Sequence, residues 1–369
     1  MACIWMDGFE IDFADNTAGL WDAFAEASMG LGDLYYTATN ARTGGGCLRV
    51  QSSASSLYRY ISKTLPSTYT ELYIGFGFYW ASSQALATSS STSTVGLLTL
   101  LSSTATQQIT LGINKSTHVI DVYRGTNRDT LLGSSGSAVA ADTMHYIELR
   151  VVISDTVGVV QVKLNGTTEI NLSSQDTNNA GGGDIKTIRI GSVWNGSPAQ
   201  GGAIDAYFDD FIVNDTTGTV SNSWPTGAGI EKLVPNADGN YTAWTSTGGA
   251  VDYTEIDDVA TYGNLPDDDT TTILSATTGQ RTSVNLTNTT LAGSVEAVML
   301  LSYAKNSAAG ADQMAQFVRL SSTDYDETAF VPATTYGWQK DILTLNPATS
   351  ARWLTSEIDG MEQGWKRVT

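Results

Sequence analysis

Two adjacent acids, Asp209 and Asp210, stand inside the run YFDDFIVND, Tyr207 to Asp215. A neighbouring carboxylate pair is the equipment of a glycosidase or of a divalent-cation site, so its geometry decides which chemistry is open to it. Glycoside hydrolysis needs two carboxyls on the same side of one sugar bond, about 5 Å apart when retaining and about 6.5 to 9.5 Å when inverting. The run reads as a strand, in which successive side chains point to opposite faces, so Asp209 and Asp210 are expected to face apart. The same-face partner of Asp209 is Asp205, four residues away and therefore about 13 Å distant along an extended strand. This pattern places Tyr207, Phe211 and Val213 on one face, Phe208 and Ile212 on the other, and one acid in each. A buried carboxylate needs donors or a cation. The expected partners are neutral hydrogen bonds or an arginine, with calcium at Asp209 or Asp210 as the lesser alternative.

Three further clusters invite the same question. In YTEIDD (253 to 258), Glu255 and Asp257 would share one strand face at roughly 6.6 Å, a spacing that suits acid and base. No second signal surrounds them, so an acid-rich strand end is the expectation. PDDDTTTI (266 to 273) lacks the alternating oxygen ligands and fixed glycine of an EF-hand loop and reads as a capped turn before a strand. His118 and His145 have no partnered Ser or Cys motif. There is no G-x-S-x-G elbow, H-E-x-x-H, Walker A loop or C-x-x-C. No catalytic residue is therefore assigned. Trp194-Asn195-Gly196 joins a stacking ring to an amide, the pairing that a sugar site uses, and makes Trp194 and Asn195 the glycan-binding candidates. Trp224, Trp244, Trp338 and Trp365 read equally well as core or interface anchors.

The elements that must position these residues repeat with period two. LYIGFGFYW (72 to 80), HYIELRVVIS (145 to 154), GVVQVKLNG (158 to 166), DIKTIRIGSVW (184 to 194) and AYFDDFIVND (206 to 215) are β-branched and aromatic runs bounded by turn residues. Asn165-Gly166 joins two such runs as a type I′ hairpin, whose central residues both need positive φ. Helical patterns are confined to residues 20 to 29 and 352 to 358. The fold class is all-β. Alternation thins across 221–240, which reads as a linker between a large sandwich over 1–220 and a smaller one over 241–369. Residues 81–96, rich in Ser, Thr and Ala, read as a low-complexity loop.

Composition bounds the partners. The 369 residues carry 38 acidic and 19 basic side chains, a formal charge of -19 that repels a phosphate backbone, so nucleic acid is not an expected partner. No window approaches the roughly 18 consecutive apolar residues of a membrane span. MACIWMDGFEIDF places Asp7 and Glu10 where an export signal needs a cationic start and an apolar run, so no signal peptide is expected. Cys3 and Cys47 are too few for a disulfide framework and read as small buried hydrophobes.

DGFE near the start, the central HYIELRVVISDTVGVVQVKLNGTTEINLS, then IRIGSVWNG and YFDDFIVND resemble the concanavalin A-like (laminin G-like) jelly roll of lectins and glucanases. That resemblance implies that the opening and closing strands are neighbours, which would bring Asp7 beside the Asp209-Asp210 strand. The E-x-D-x-x-E strand of glucanase relatives is missing, and with it the residues that would carry hydrolysis. WPTGAGIEKLVPNADGNYTAWT, YTEIDD and LPDDDTTTI, followed by a short β module, resemble the C-terminal halves of structural proteins of tailed bacteriophages. The resemblance implies a non-enzymatic virion component, made in the bacterial cytosol without cofactor, homo-oligomeric and bound to other virion proteins as decoration, collar or short fibre. The alternatives are a tail module binding host-surface glycan and a polysaccharide-degrading enzyme.

Overall fold

The computed structural model describes the chain apart from residues 1, 12–19, 27–33, 53–57, 89–92, 127–128, 181, 194–201, 250, 261–263, 265 and 311. The described residues form two compact units, Met1–Phe9 with Trp21–Ile230, and Glu10–Leu20 with Glu231–Thr369. The first holds β1 (Cys3–Asp7), β2 (Ala23–Glu26), β3 (Leu34–Thr37), β4 (Cys47–Ser52), β5 (Arg59–Tyr69), β6 (Glu71–Trp80), β7 (Ala87–Thr88) and β8 (Thr94–Leu101). It continues with β9 (Gln107–Asn114), β10 (Val119–Arg124), β11 (Thr130–Ala138), β12 (His145–Val152), β13 (Gly158–Leu164), β14 (Thr167–Gln175), β15 (Ile185–Ser192) and β16 (Gly202–Asn214).

Among the described residues these strands make two antiparallel sheets, the arrangement of a jelly-roll sandwich. One runs β14-β13-β12-β6-β16-β4-β3, with β1 and β7 also on β16; the other runs β11-β10-β9-β8-β15-β5-β2. Period-two alternation explains the core. Leu72, Ile74, Phe76 and Phe78 of β6 and Ile147, Leu149 and Val151 of β12 are fully buried. Each such side chain stabilises the fold by about 1.5–3 kcal/mol. The residues between them, Tyr73, Gly75, Gly77 and Tyr79 on β6, project from the outer face. The opening strand pairs with the closing one, Asp7 opposite Phe211, as the jelly-roll resemblance implied. Cys3 and Cys47 are buried thiols that meet the carbonyls of Trp5 (3.6 Å) and Thr37 (3.3 Å).

Asn165 and Gly166 take φ of 52° and 81° between β13 and β14, the conformation of the expected hairpin turn. The described part of the 20–29 pattern does not give a helix: Ala23–Glu26 is a strand on β5, where tertiary pairing overrides a two-turn helical pattern. Of the other helical pattern, Thr355–Asp359 forms one turn, α1.

The second unit holds β17 (Pro235–Thr242), β18 (Thr245–Ser246), β19 (Ile273–Leu274), β20 (Arg281–Leu286), β21 (Val298–Ala304), β22 (Met314–Leu320), β23 (Thr323–Asp326), β24 (Gly337–Leu343) and β25 (Met361–Arg367). Its sheets among the described residues are β17-β20-β25-β22-β23 and the pairs β18-β19 and β21-β24. Val284, Leu300, Val318, Trp353 and Trp365 are central to its core. The stretch read as a linker therefore includes the first six residues of β17, and the division between units falls after Ile230.

Candidate functional site

Cross-strand register arranges the outer face of the first sheet in rungs, since residues directly opposite one another project on the same side. Tyr35, Arg49, Tyr207 and Tyr79 form one rung across β3, β4, β16 and β6. Asp209, Gly77 and Tyr146 form the next. Ile212, Gly75, Glu148 and Lys163 form a third. The two glycines leave a depression along the central strand. A Cβ at Gly77 would lie 3.0 Å from Arg42 Cδ, and one at Gly75 would lie 2.5 Å from Tyr146 Oη and 3.0 Å from Pro225 Cγ. The segment after β16 folds back into this depression as a strap over residues 222–230.

Asp209 and Asp210 hold that strap. The ladder between β16 and β6 shifts register between Asp209 and Ile212, and Asp210 has a φ of 49°, so the strand is bulged at the acids. The expectation that adjacent acids face apart is corrected here: both carboxylates converge on Arg42 and Thr43. Asp209 Oδ2 accepts from the backbone N–H of Arg42 (2.6 Å) and Thr43 (3.2 Å), and its Oδ1 accepts from the N–H of Asp210 (2.7 Å). Asp210 accepts from Arg42 Nη1 (2.5 Å), Thr43 Oγ1 (2.5 Å) and the N–H of Ile230 (2.6 Å). The bulge also moves Phe211 to the core side, where it packs on Phe76 together with Phe208, and separates it from Tyr207.

Both acids are fully buried. Burial first, and then the Asp210 charge, pushes Asp209 well above the usual carboxylate range, against the pull of its three backbone donors. Burial raises Asp210 in the same direction, opposed by Thr43 and Arg42. Arg42 Nη1 and Nη2 go on to donate to the carbonyls of Ala228 (2.9 Å) and Gly227 (2.8 Å). The pair is an anchor for the strap, and neither acid reaches solvent to act on a substrate. A calcium ion there would have to displace these six donors. Titrating the protein with calcium, or with a chelator, is expected to leave the thermal midpoint of the first domain unchanged. A calcium-dependent rise of several degrees would place the ion at the pair.

Beside the strap the same face opens into a cleft of about 430 Å³, within the range of small-ligand pockets, about 300–1,000 Å³. Its walls are Arg42, Tyr146, Glu148 and Lys163, with the hairpin tip Asn165-Gly166 and strap residues Thr226-Gly227 at the rim. The Arg42 guanidinium lies 4.6 Å from the Tyr146 ring centre, and Lys163 Nζ lies 4.0 Å from that of Trp224. Glu148 Oε1 accepts from the N–H of Thr226 (2.8 Å), and burial raises its pKa against that bond and the Lys163 charge. Asn165 fixes the tip: its Oδ1 accepts from the N–H of Tyr146 (2.8 Å) and its Nδ2 meets His145 Nδ1 (3.0 Å). His145 Nε2 is 3.1 Å from the carbonyl of Ala140, so both ring nitrogens are engaged.

Trp194 and Asn195 lie outside the described residues. Trp224 packs under Lys163 Nζ and Trp365 belongs to the second core. His118, in a turn at φ 59°, packs edge-on against Trp80. Glu255 lies in a 3-10 turn, Asp252–Glu255, and its carboxylate takes the N–H of Gly248 at 3.0 Å, so the shared strand face expected with Asp257 does not form. Asp267 accepts from Thr271 N–H and Oγ1 at 2.9 and 3.0 Å, the capped turn expected there. Arg42, Tyr146, Glu148 and Lys163 were not singled out by motif, because no local spacing marks them.

No family model matches the chain, and no curated protein matches it. Among solved structures, the chain is similar to the alginate lyase Aly36B, at 14% identity and a TM-score of 0.35, over 58% of this chain and 96% of that one. It is also similar to the carbohydrate binding module CBM66 from Bacillus subtilis, at 8% identity and a TM-score of 0.32, over 54% of this chain and 98% of the module. A third is domain 4 of the extracellular arabinanase AbnA from Geobacillus stearothermophilus, in complex with arabinotriose, at 11% and 0.38 over 58% and 93%. At these scores the likenesses carry no functional assignment.

Proposed function

We propose that the first domain binds glycan and that the chain acts by binding and not by catalysis. The cleft carries this reading. It joins Tyr146 and Met144 to a few converging polar groups, Lys163, Glu148 and the strap backbone, the mixture that orients a polyhydroxylated ligand. Lys163 Nζ makes no hydrogen bond to a carboxylate among the described residues and is held over a ring, ready to donate. Asp209 and Asp210 are committed to Arg42 and Thr43, His145 to Asn165 and Ala140, and Glu148 accepts from the N–H of Thr226.

The setting in a tailed-phage particle, with other virion proteins and further copies of the chain as partners, rests on the sequence resemblance alone. In that setting the domain would be a receptor-binding module for host-surface glycan. The full-length protein, labelled and applied to an array of bacterial, algal and plant polysaccharide fragments, is expected to be retained by one structural class. Retention by none, with the fold intact, overturns the reading; release of new reducing or unsaturated ends from a retained class overturns the non-catalytic part.

A further inference from the structure

We infer that the rung Tyr35, Arg49, Tyr207 and Tyr79 is a second subsite on the same face, so that the domain takes a polysaccharide chain lying across the sheet and not a single terminal sugar. This rests on the glycan reading of the cleft. The rung adjoins the one that contains Tyr146, and the strands from β13 to β3 span five gaps, about 24 Å across. That width accommodates several sugar residues.

The rung is built for a ligand with flat apolar faces and equatorial hydroxyls. Arg49 sits between two rings, its guanidinium carbon 5.5 Å from the Tyr35 centre and 5.4 Å from that of Tyr207. Its Nε and Nη2 fork onto Asp205 at 2.8 Å each, and Nη1 donates to Tyr35 Oη. Three of its five N–H groups are thereby used, and the side chain, 22% exposed, keeps two for a ligand. The fork fixes the guanidinium in place, so little freedom is lost on binding. Tyr79 stands at 84° to Tyr207 with centres 5.4 Å apart, half-buried, and its hydroxyl is 3.2 Å from Asp142 Oδ1. Asp142 is itself exposed and held by the N–H and Oγ of Ser82. Tyr207 is itself buried, so the half-buried Tyr35 and Tyr79 supply the ring surface, with fixed donors and acceptors between them. A proline-rich peptide is the other ligand that docks in aromatic-lined grooves, and it is a competitor in the test.

The test is calorimetric titration of the full chain with size-graded fragments, from disaccharide to octasaccharide, of the polysaccharide retained on the array. Affinity is expected to rise at least tenfold with length. Tyr79→Ala and Tyr35→Ala are each expected to remove most of that gain and to leave disaccharide affinity within twofold, with unchanged thermal midpoints. Length-independent affinity, or octasaccharide binding unaltered in both variants, overturns the inference while the cleft reading stands if Lys163→Ala still weakens the disaccharide. Displacement of the octasaccharide by a polyproline peptide also overturns it. Binding of no fragment by the unaltered protein defeats both readings together.

Discussion

Replacing Arg42 with alanine is expected to destabilise the first domain by about 3 kcal/mol at pH 7.5, the cost of removing one partner from a buried ion pair. The variant leaves the fully buried Asp210 beside Asp209 without its cation, and it frees the carbonyls of Gly227 and Ala228 that fasten the strap. Urea unfolding, followed through the buried Trp5, Trp21 and Trp80, measures the loss, and limited proteolysis over 222–230 reports release of the strap. Burial holds Asp209 and Asp210 in a range where they take up protons as pH falls, so the deficit is expected to shrink at pH 5. Adding Asp210→Asn to Arg42→Ala removes the uncompensated charge and is expected to recover part of the stability. A loss below about 1 kcal/mol at pH 7.5 would contradict the anchor.

Stability of the first domain is expected to fall as pH rises from 4 to 6, the reverse of ordinary acid denaturation. An acid whose folded pKa is raised contributes stability below its unfolded value and loses it as pH rises through the folded one. Asp7 is pushed from 3.8 up to about 6 by burial, against hydrogen bonds from Trp21 Nε1 (2.6 Å) and the N–H of Phe9 (2.8 Å) and the Lys63 charge. A shift of that size corresponds to about 3 kcal/mol in all, of which about 2 kcal/mol is lost between pH 4 and 6. Asp209 is displaced in the same direction and extends the decline above neutrality. Asp22 and Asp142 are lowered and slope the opposite way, but both are largely exposed, where solvent screens them. Asp7→Asn is expected to flatten the profile between pH 4 and 6, although its amide supplies one acceptor where the carboxylate supplied two. A profile of unchanged slope in that variant would show that Asp7 is not the group responsible.

The architecture was legible in the sequence because a half-buried strand announces itself by period two and because Asn165-Gly166 admits few backbone conformations. The placement of Asp7 beside β16 followed from the jelly-roll resemblance and holds. The orientation of Asp209 and Asp210 was not legible. Alternation assumes an unbroken ladder, and a non-glycine residue at positive φ inside a strand gives no compositional sign; one bulge then reversed the facing of every residue after it. Glu148 and Lys163 each stand between buried aliphatics, so their outward facing could be read from HYIELRVV and GVVQVKL. That they meet on one rung depends on strand pairing, which spacing along the chain does not encode. Arg42 lies in the irregular segment before β4, and its partners are 167 and more residues away. No local pattern marks such a residue.

The most direct test of glycan binding at the cleft is a calorimetric comparison of the full-length protein with its Lys163→Ala variant, titrated with the disaccharide of the polysaccharide retained on the array. Lys163 Nζ lies over the Trp224 ring and its charge acts on the buried Glu148, so the change is expected to cost about 1 kcal/mol of stability and to leave the domain folded. An affinity at least tenfold weaker in the variant, about 1.4 kcal/mol, is expected. Equal affinities, with both proteins folded, would place the glycan site elsewhere on the molecule and contradict binding at the cleft.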